Sequence, residues 1–298
     1  MQICRCYIER VLGVFFLLSL FCTGCIKEDL SDCRNYDLTM KVVDAEGGDI
    51  SSSGAIHNLK AYLFGNDKFI KELPIDSGKI TFTYSKSVPV TVVAWGNLQN
   101  DTLDLPKLTP GMRITEALVQ LKKNDGHPLS PPDIFYQNYS SVSTKADVDE
   151  EIVELSLKRR TAQMYISSGY VTQVFGGTKD DFSYVIRGAG YGLNFKGEVL
   201  LDDEQPYKPV TNWSKGDRLE TPVFSIIPDD NNDDYVQVDL YKGDMLMYSI
   251  TADTYGNRLQ AIPGKLLNVV VDFVTVSVTL SVATITPWGQ VQQYVETK

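Results

Sequence analysis

Apolar and polar residues alternate along much of this chain with a period of two. Ile80, Phe82 and Tyr84 are separated by Thr81, Thr83 and Ser85, the signature of a half-buried antiparallel strand. Leu38, Met40 and Val42 repeat the pattern, as do Val153, Leu155 and Leu157. Val236, Val238 and Leu240 repeat it again, followed by Leu246, Tyr248 and Ile250, with Lys242-Gly243-Asp244 as the hairpin turn between the last two sets. Apolar runs at 59–64, 69–70, 88–95, 134–136, 164–171, 182–186, 198–201 and 223–227 read as further strands, Pro89 marking either an edge or a strand start. Glu46-Gly47-Gly48-Asp49, Gly65-Asn66-Asp67, Asp76-Ser77-Gly78 and Gly176-Gly177 supply the turns. Gly188-Ala189-Gly190-Tyr191-Gly192 has the wrong spacing for a dinucleotide loop and reads as a loop or bulge. One helix is expected over 109–121, with Thr109 as N-cap, Pro110 at the first helical position and Ile114, Leu118 and Leu121 on one face. Many short, turn-punctuated strands predict an all-β protein of two sandwiches in series, residues 36–158 and 159–298, meeting near Lys158-Arg159-Arg160.

From Leu266 to Ile285 nearly every residue is apolar or β-branched. Leu267, Val269, Val271 and Phe273 share one phase; Val274, Val276, Val278 and Leu280 share the opposite one. This implies a bulge or tight hairpin at 273–274, because a one-residue slip turns every side chain over. Left as a bare edge this stretch would aggregate, so it is paired inside its own sheet or with a neighbouring subunit. Val274, Val276, Val278, Leu280 and Val282 are the candidate partner-strand residues.

The N-terminus carries a different pattern. Arg5 and Arg10 precede an uncharged apolar run, Val11–Phe21, that ends in Cys22-Thr23-Gly24-Cys25. As a helix the run would rise about 16 Å against a bilayer core of about 30 Å, so it reads as a secretory signal over residues 1–24. Thr23 and Gly24 before Cys25 resemble the lipobox of bacterial lipoproteins, whose cysteine takes a diacylglycerol and becomes the new N-terminus. Cys22 departs from that pattern, which has Leu there. Residues 25–35 are polar and aperiodic and read as a tether.

Composition narrows the function classes. With 38 acidic against 28 basic side chains the formal charge is −10, and no basic block exists, so nucleic acid is not an expected partner. Of five cysteines, Cys4, Cys6 and Cys22 leave with the signal and Cys25 is the lipidation site, which leaves Cys33 alone and no disulfide framework. His57 and His127 lie far apart, without a second ligand at zinc spacing and without a nucleophile elbow. Asp229–Asp234 is acidic but fails the calcium-loop pattern, with Asp234 and Leu240 where Gly and Glu belong. Trp95, Trp213 and Trp288 are stacking candidates spread over both halves. Neither an enzyme nor a cofactor or metal is expected.

Three stretches carry a family resemblance: Cys25-Ile-Lys-Glu-Asp-Leu-Ser-Asp-Cys33, Leu59-Lys-Ala-Tyr-Leu-Phe64 and Ile285-Thr-Pro-Trp-Gly289. In order and spacing they resemble the anchoring subunits of type V fimbriae of Bacteroidales bacteria. The resemblance implies two transthyretin-like β-sandwich domains with at most a short helix. It also implies an outer-membrane lipoprotein facing the cell exterior, which holds a fimbrium through strand pairing with its structural subunits and limits its length. Lys27, Glu28 and Asp29 resemble the acidic signal that sends such lipoproteins to the outer face. In such fimbriae an arginine-specific protease strips the first strand from structural subunits. Here the next arginine after Arg34 is Arg113, so a cut at Arg34 would leave the first strand in place, as an anchor requires. A stalk or tip subunit of the same fimbrium and a surface glycan-binding lipoprotein remain the alternatives.

Overall fold

The computed structural model describes residues 32–141, 149–202, 204–229, 235–274 and 277–288, with the backbone alone for those in 274–287. The first half contributes β1 (Cys33–Val42), β2 (Leu59–Gly65), β3 (Lys68–Leu73), β4 (Lys79–Ser85), β5 (Val90–Gly96), β6 (Leu103–Asp104), β7 (Leu118–Leu121), β8 (Lys123–Asn124), β9 (His127–Pro128), β10 (Phe135–Ser140) and β11 (Glu150–Arg159). The second contributes β12 (Ala162–Gly169), the short helix α1 (Val171–Phe175), β13 (Phe182–Arg187), β14 (Ala189–Gly190), β15 (Gly192–Asn194), β16 (Val199–Leu200), β17 (Asn212–Ser214), β18 (Arg218–Glu220), β19 (Phe224–Pro228), β20 (Gln237–Lys242), β21 (Met245–Ile250), β22 (Lys265–Val274) and β23 (Ser277–Pro287). The described residues are all-β with one short α-helix, as the alternation predicts.

The first large sheet runs β3-β2-β5-β10-β11-β1-β4. β5 is buried on both faces, which is why Val90–Gly96 is a continuous apolar run rather than an alternating one. Leu63, Val92 and Ala94 face one core with Tyr36, Leu38, Ile80, Phe82, Leu155 and Leu157. Phe64, Val93 and Trp95 face the other, which they share with Met164, Ile166, Leu193, Val238 and Val269 from the second half. Pro89 marks a strand start at the sheet's centre, not an edge: β5 begins one residue later and pairs with β2 and β10.

The second large sheet centres on β12, which pairs antiparallel with β18 and β19 and parallel with β22; β23 pairs with β22. A small sheet β16-β15-β7-β6 joins the halves, with Leu193 registered against Val119. The described residues from Arg34 onward cluster in one compact unit.

Two local expectations are corrected. No helix forms over 109–121. Gly111 sits at φ +90, and a turn closes from the Met112 N–H to the Thr109 carbonyl. From there the period is two: Val119 and Leu121 are buried while Leu118 and Gln120 are half-exposed in β7, so the helical spacing of Ile114, Leu118 and Leu121 is coincidental. The glycine-rich stretch 188–192 is not an open loop but forms β14 and enters β15. A Cβ on Gly190 would lie 2.2 Å from Val199 Cγ1 and one on Gly192 2.5 Å from the Val119 carbonyl, so only glycine lets the strands cross this closely.

Candidate functional site

At the N-terminal end, Cys22, Thr23, Gly24, Cys25, Lys27, Glu28 and Asp29 lie outside the described residues. β1 starts at Cys33, within the stretch whose polarity reads as tether, because the buried Arg34 pairs with a carboxylate on the neighbouring strand. Its side chain is 2% exposed, and its guanidinium lies 3.0 Å from the Glu151 carboxylate. Glu151 also accepts from the Tyr139 hydroxyl. Burial first, and then that carboxylate, push the Tyr139 phenol well above its usual range. Along β1, Asn35 to Val42 register in parallel with Glu150 to Leu157 of β11, while β4 flanks the other side. Tyr36 stacks on Phe82 of β4 with centroids 4.6 Å apart. The first strand is therefore held on both sides and over its core face.

At the C-terminal end, the phase switch is a hairpin. β22 ends at Val274, β23 begins at Ser277, and the two residues are registered. β22 is an interior strand with Leu267, Val269, Val271 and Phe273 buried. Phe273 meets Phe175 and Tyr248 edge-on, and Asp272 takes a 2.7 Å bond from Arg218, which also donates to Ser167. β23 pairs with β22 and, among the described residues, carries no strand on its other edge. Val278 and Leu280 stand in β23 opposite Phe273 and Val271, and Val282 lies in the same strand. Val274 closes β22, and Val276 lies outside the described residues.

Sequence reasoning missed the joint between the halves. Phe195, just past β15, inserts its ring among Tyr62, Phe64 and Trp95 at centroid distances of 5.1, 6.0 and 5.5 Å. Its backbone receives a bond from the Tyr136 hydroxyl and donates one to Ala117. Arg159, the last residue of β11, lies over Phe135 at 4.8 Å and over Trp288 at 4.9 Å while its Nε bonds Asp133 at 2.9 Å. Burial holds the Asp133 carboxyl above its usual range despite that guanidinium. No periodicity marks either contact. The only signal was Trp288 itself, within the Ile285–Gly289 motif.

The remaining candidates do not converge. His57 is exposed, and His127 Nδ1 sits 2.8 Å from the Pro206 carbonyl. Asp230–Asp234 lie outside the described residues, and among the described ones no three metal-ligating side chains cluster. Trp95 is buried in the core, Trp213 donates to the Lys179 carbonyl, and Trp288 is covered by Arg159. The tryptophans form no shared stacking platform for a glycan.

The described body is all-β: a small sheet containing β7 and β15 joins its halves, its first strand is paired on both sides, and a C-terminal hairpin stands at a sheet edge. The model of the Mfa2 family, fimbrillin-A associated anchor proteins Mfa1 and Mfa2, matches residues 30–294, and the chain belongs to that family. A major fimbrium anchoring subunit, FimB, of Porphyromonas gingivalis strain W83 is 27% identical over 97% of this chain and 98% of its own length. The solved fimbrial anchor protein Mfa2 of Porphyromonas gingivalis superposes with a TM-score of 0.62 at 12% identity, covering 86% of this chain and 98% of its own. A candidate adhesin from Bacteroides ovatus superposes with a TM-score of 0.59 at 13% identity, covering 87% and 97%. At such identities these two structures speak to the fold.

Proposed function

We propose that this chain is a non-enzymatic, lipid-anchored subunit that attaches a fimbrium to the outer membrane and limits its length. Residues 1–24 are removed, Cys25 carries the lipid, and Lys27, Glu28 and Asp29 direct the protein to the outer face. Residues 36–158 and 159–298 act as its two domains. The observation that carries the reading is the retained first strand. Arg34, the first arginine after the signal, is buried inside β1, and β1 is paired on both sides. A subunit that keeps this strand opens no acceptor groove, so it can offer a strand but not receive one, which suits the end of a polymer. The strand it offers lies in the β22–β23 hairpin, where β23 has an edge that pairs with no described strand. Several acyl chains on one N-terminus supply the hold that a pulled filament demands, since one chain binds only reversibly.

Mass spectrometry of the protein purified from membranes tests the reading. An acylated Cys25 at the N-terminus supports the anchor. A new N-terminus at Asn35, or an unmodified Cys25 in a soluble periplasmic protein, overturns it.

A further inference from the structure

We infer that the fold carries tension in shear from the N-terminal end of β1 to the tip of the β22–β23 hairpin. The device rests on the anchor function, in which the membrane holds one end and the fimbrium the other. Force from the tether enters β1 at Asn35. It leaves β11 at the opposite end, because β11 continues through Arg160 and Thr161 into β12. β1 and β11 are parallel over eight registered pairs, Asn35↔Glu150 to Val42↔Leu157. Entry and exit points are therefore about 26 Å apart along the strands and about 4.8 Å apart across them, so the line of pull lies close to the strand direction. Every hydrogen bond of the ladder shares the load, and none can open ahead of the rest.

The same geometry recurs in the next pair. Gln163 to Gly169 of β12 run parallel to Leu266 to Asp272 of β22. Load enters β12 at Ala162 and leaves β22 at Val274, again at opposite ends. Bonds that hold the link between the pairs include Arg160 N–H to the Ile134 carbonyl at 2.8 Å, Gly264 N–H to the Thr161 carbonyl at 2.8 Å and Arg160 Nη2 to the Gly197 carbonyl at 2.9 Å. Ion pairs tie the far ends, Arg34 to Glu151 where load enters and Arg218 to Asp272 near where it leaves. A partner strand laid along β23 and drawn toward the hairpin tip would load both ladders this way. A pull at the other end of β23 would not. Pro287 is registered with Lys265 at the start of β22, and an antiparallel pair drawn from one end opens bond by bond.

Single-molecule pulling tests this without lipid or fimbria, so its outcome is separable from the fate of the anchor reading. In the mature chain with Cys25→Ser, Cys33 is the one thiol and serves as the first handle. The second is Ser277→Cys at the hairpin tip or Lys298→Cys at the C-terminus. The 33/277 pair is expected to rupture in one event at a clearly higher force than the first event for 33/298, because whole ladders rather than single bonds must let go. The 33/298 pair is expected to lengthen first by about 40 Å as β23 peels. Equal first-rupture forces, or an early low-force step with the 33/277 handles, would overturn the inference.

Discussion

The Arg34 guanidinium lies 3.0 Å from the Glu151 carboxylate, joining the N-terminal ends of two parallel strands. Arg34 is buried and Glu151 partly so, which makes removal of the carboxylate costly: the buried cation keeps its desolvation and loses this carboxylate. Glu151→Ala is expected to lower stability by about 2–3 kcal/mol, read as a shift of the urea midpoint at unchanged slope.

Burial of Arg34 also predicts how the native protein meets an arginine-specific protease. Arg113 is exposed and lies at an isolated β-bridge to Lys68, whereas Arg34 is buried in a ten-residue strand and must leave β1 to be cut. Limited proteolysis followed by N-terminal sequencing should show cleavage after Arg113 well before any after Arg34. Early appearance of an N-terminus at Asn35 would mean that β1 is released, and with it the argument for an anchor.

Phe195 joins the halves by packing a single ring against three aromatic side chains of the first sheet. The ring is 1% exposed, and its neighbours sit on strands that cannot follow it inward. Phe195→Ala is expected to cost about 3–5 kcal/mol in chemical denaturation, the range for an aromatic lost from a close-packed core.

How much of this was legible in the sequence depends on whether a feature is local. β4 follows from alternation because it buries one face, and alternation also located β20 and β21, although Asp239 is buried between Val238 and Leu240 and Leu246 is exposed. The hairpin at 274–277 follows from a phase switch that only a reversal or bulge can produce. The helix expected over 109–121 failed because Ile114, Leu118 and Leu121 satisfy a helical spacing by chance, while the decisive partner of β7 is β15, more than seventy residues away. Arg34 was read from its position in the chain, but its burial depends on Glu151, which no local pattern ties to it. Phe195 and Arg159 act through contacts between distant segments and leave no periodic trace. The family resemblance gave the class of protein; the parallel pairings of β1 with β11 and of β12 with β22 came only with the topology.

Tyrosine burial gives the protein an alkaline limit. Burial first, and then Glu72, push the Tyr62 phenol up to about 12 from an ordinary value of 10.0. Burial likewise raises Tyr184 and Tyr207. Above pH 10 the unfolded chain releases these protons while the folded chain keeps them. The unfolded state then binds fewer protons, and stability falls as pH rises. Stability from these groups is expected to be complete below pH 10 and to decline between 10 and about 12. Tyr62→Phe should make that decline shallower, as measured by urea midpoints across the alkaline range.

Trp288 closes the last contact along β23. Its indole caps Arg159, and its backbone N–H bonds the Gly264 carbonyl at 3.2 Å, so the exit from β23 is fastened beside the end of β11. Removing the ring leaves the β22–β23 ladder in place but frees its Pro287 end, from which an antiparallel pair frays. A cation–π contact of this kind contributes about 1–2 kcal/mol, which corresponds to a factor of roughly 5–30 in local opening. Trp288→Ala should therefore speed amide hydrogen exchange by that factor at Thr284 to Thr286 while leaving Val269 to Val271 of β22 unchanged, because those interior amides open only with the sheet. Arg159→Lys should give a similar gain, since a lysine lacks the planar face that the indole covers, whereas Trp288→Phe should restore part of the protection. Uniform acceleration along both strands would instead mean that the clasp holds the whole hairpin rather than its exit.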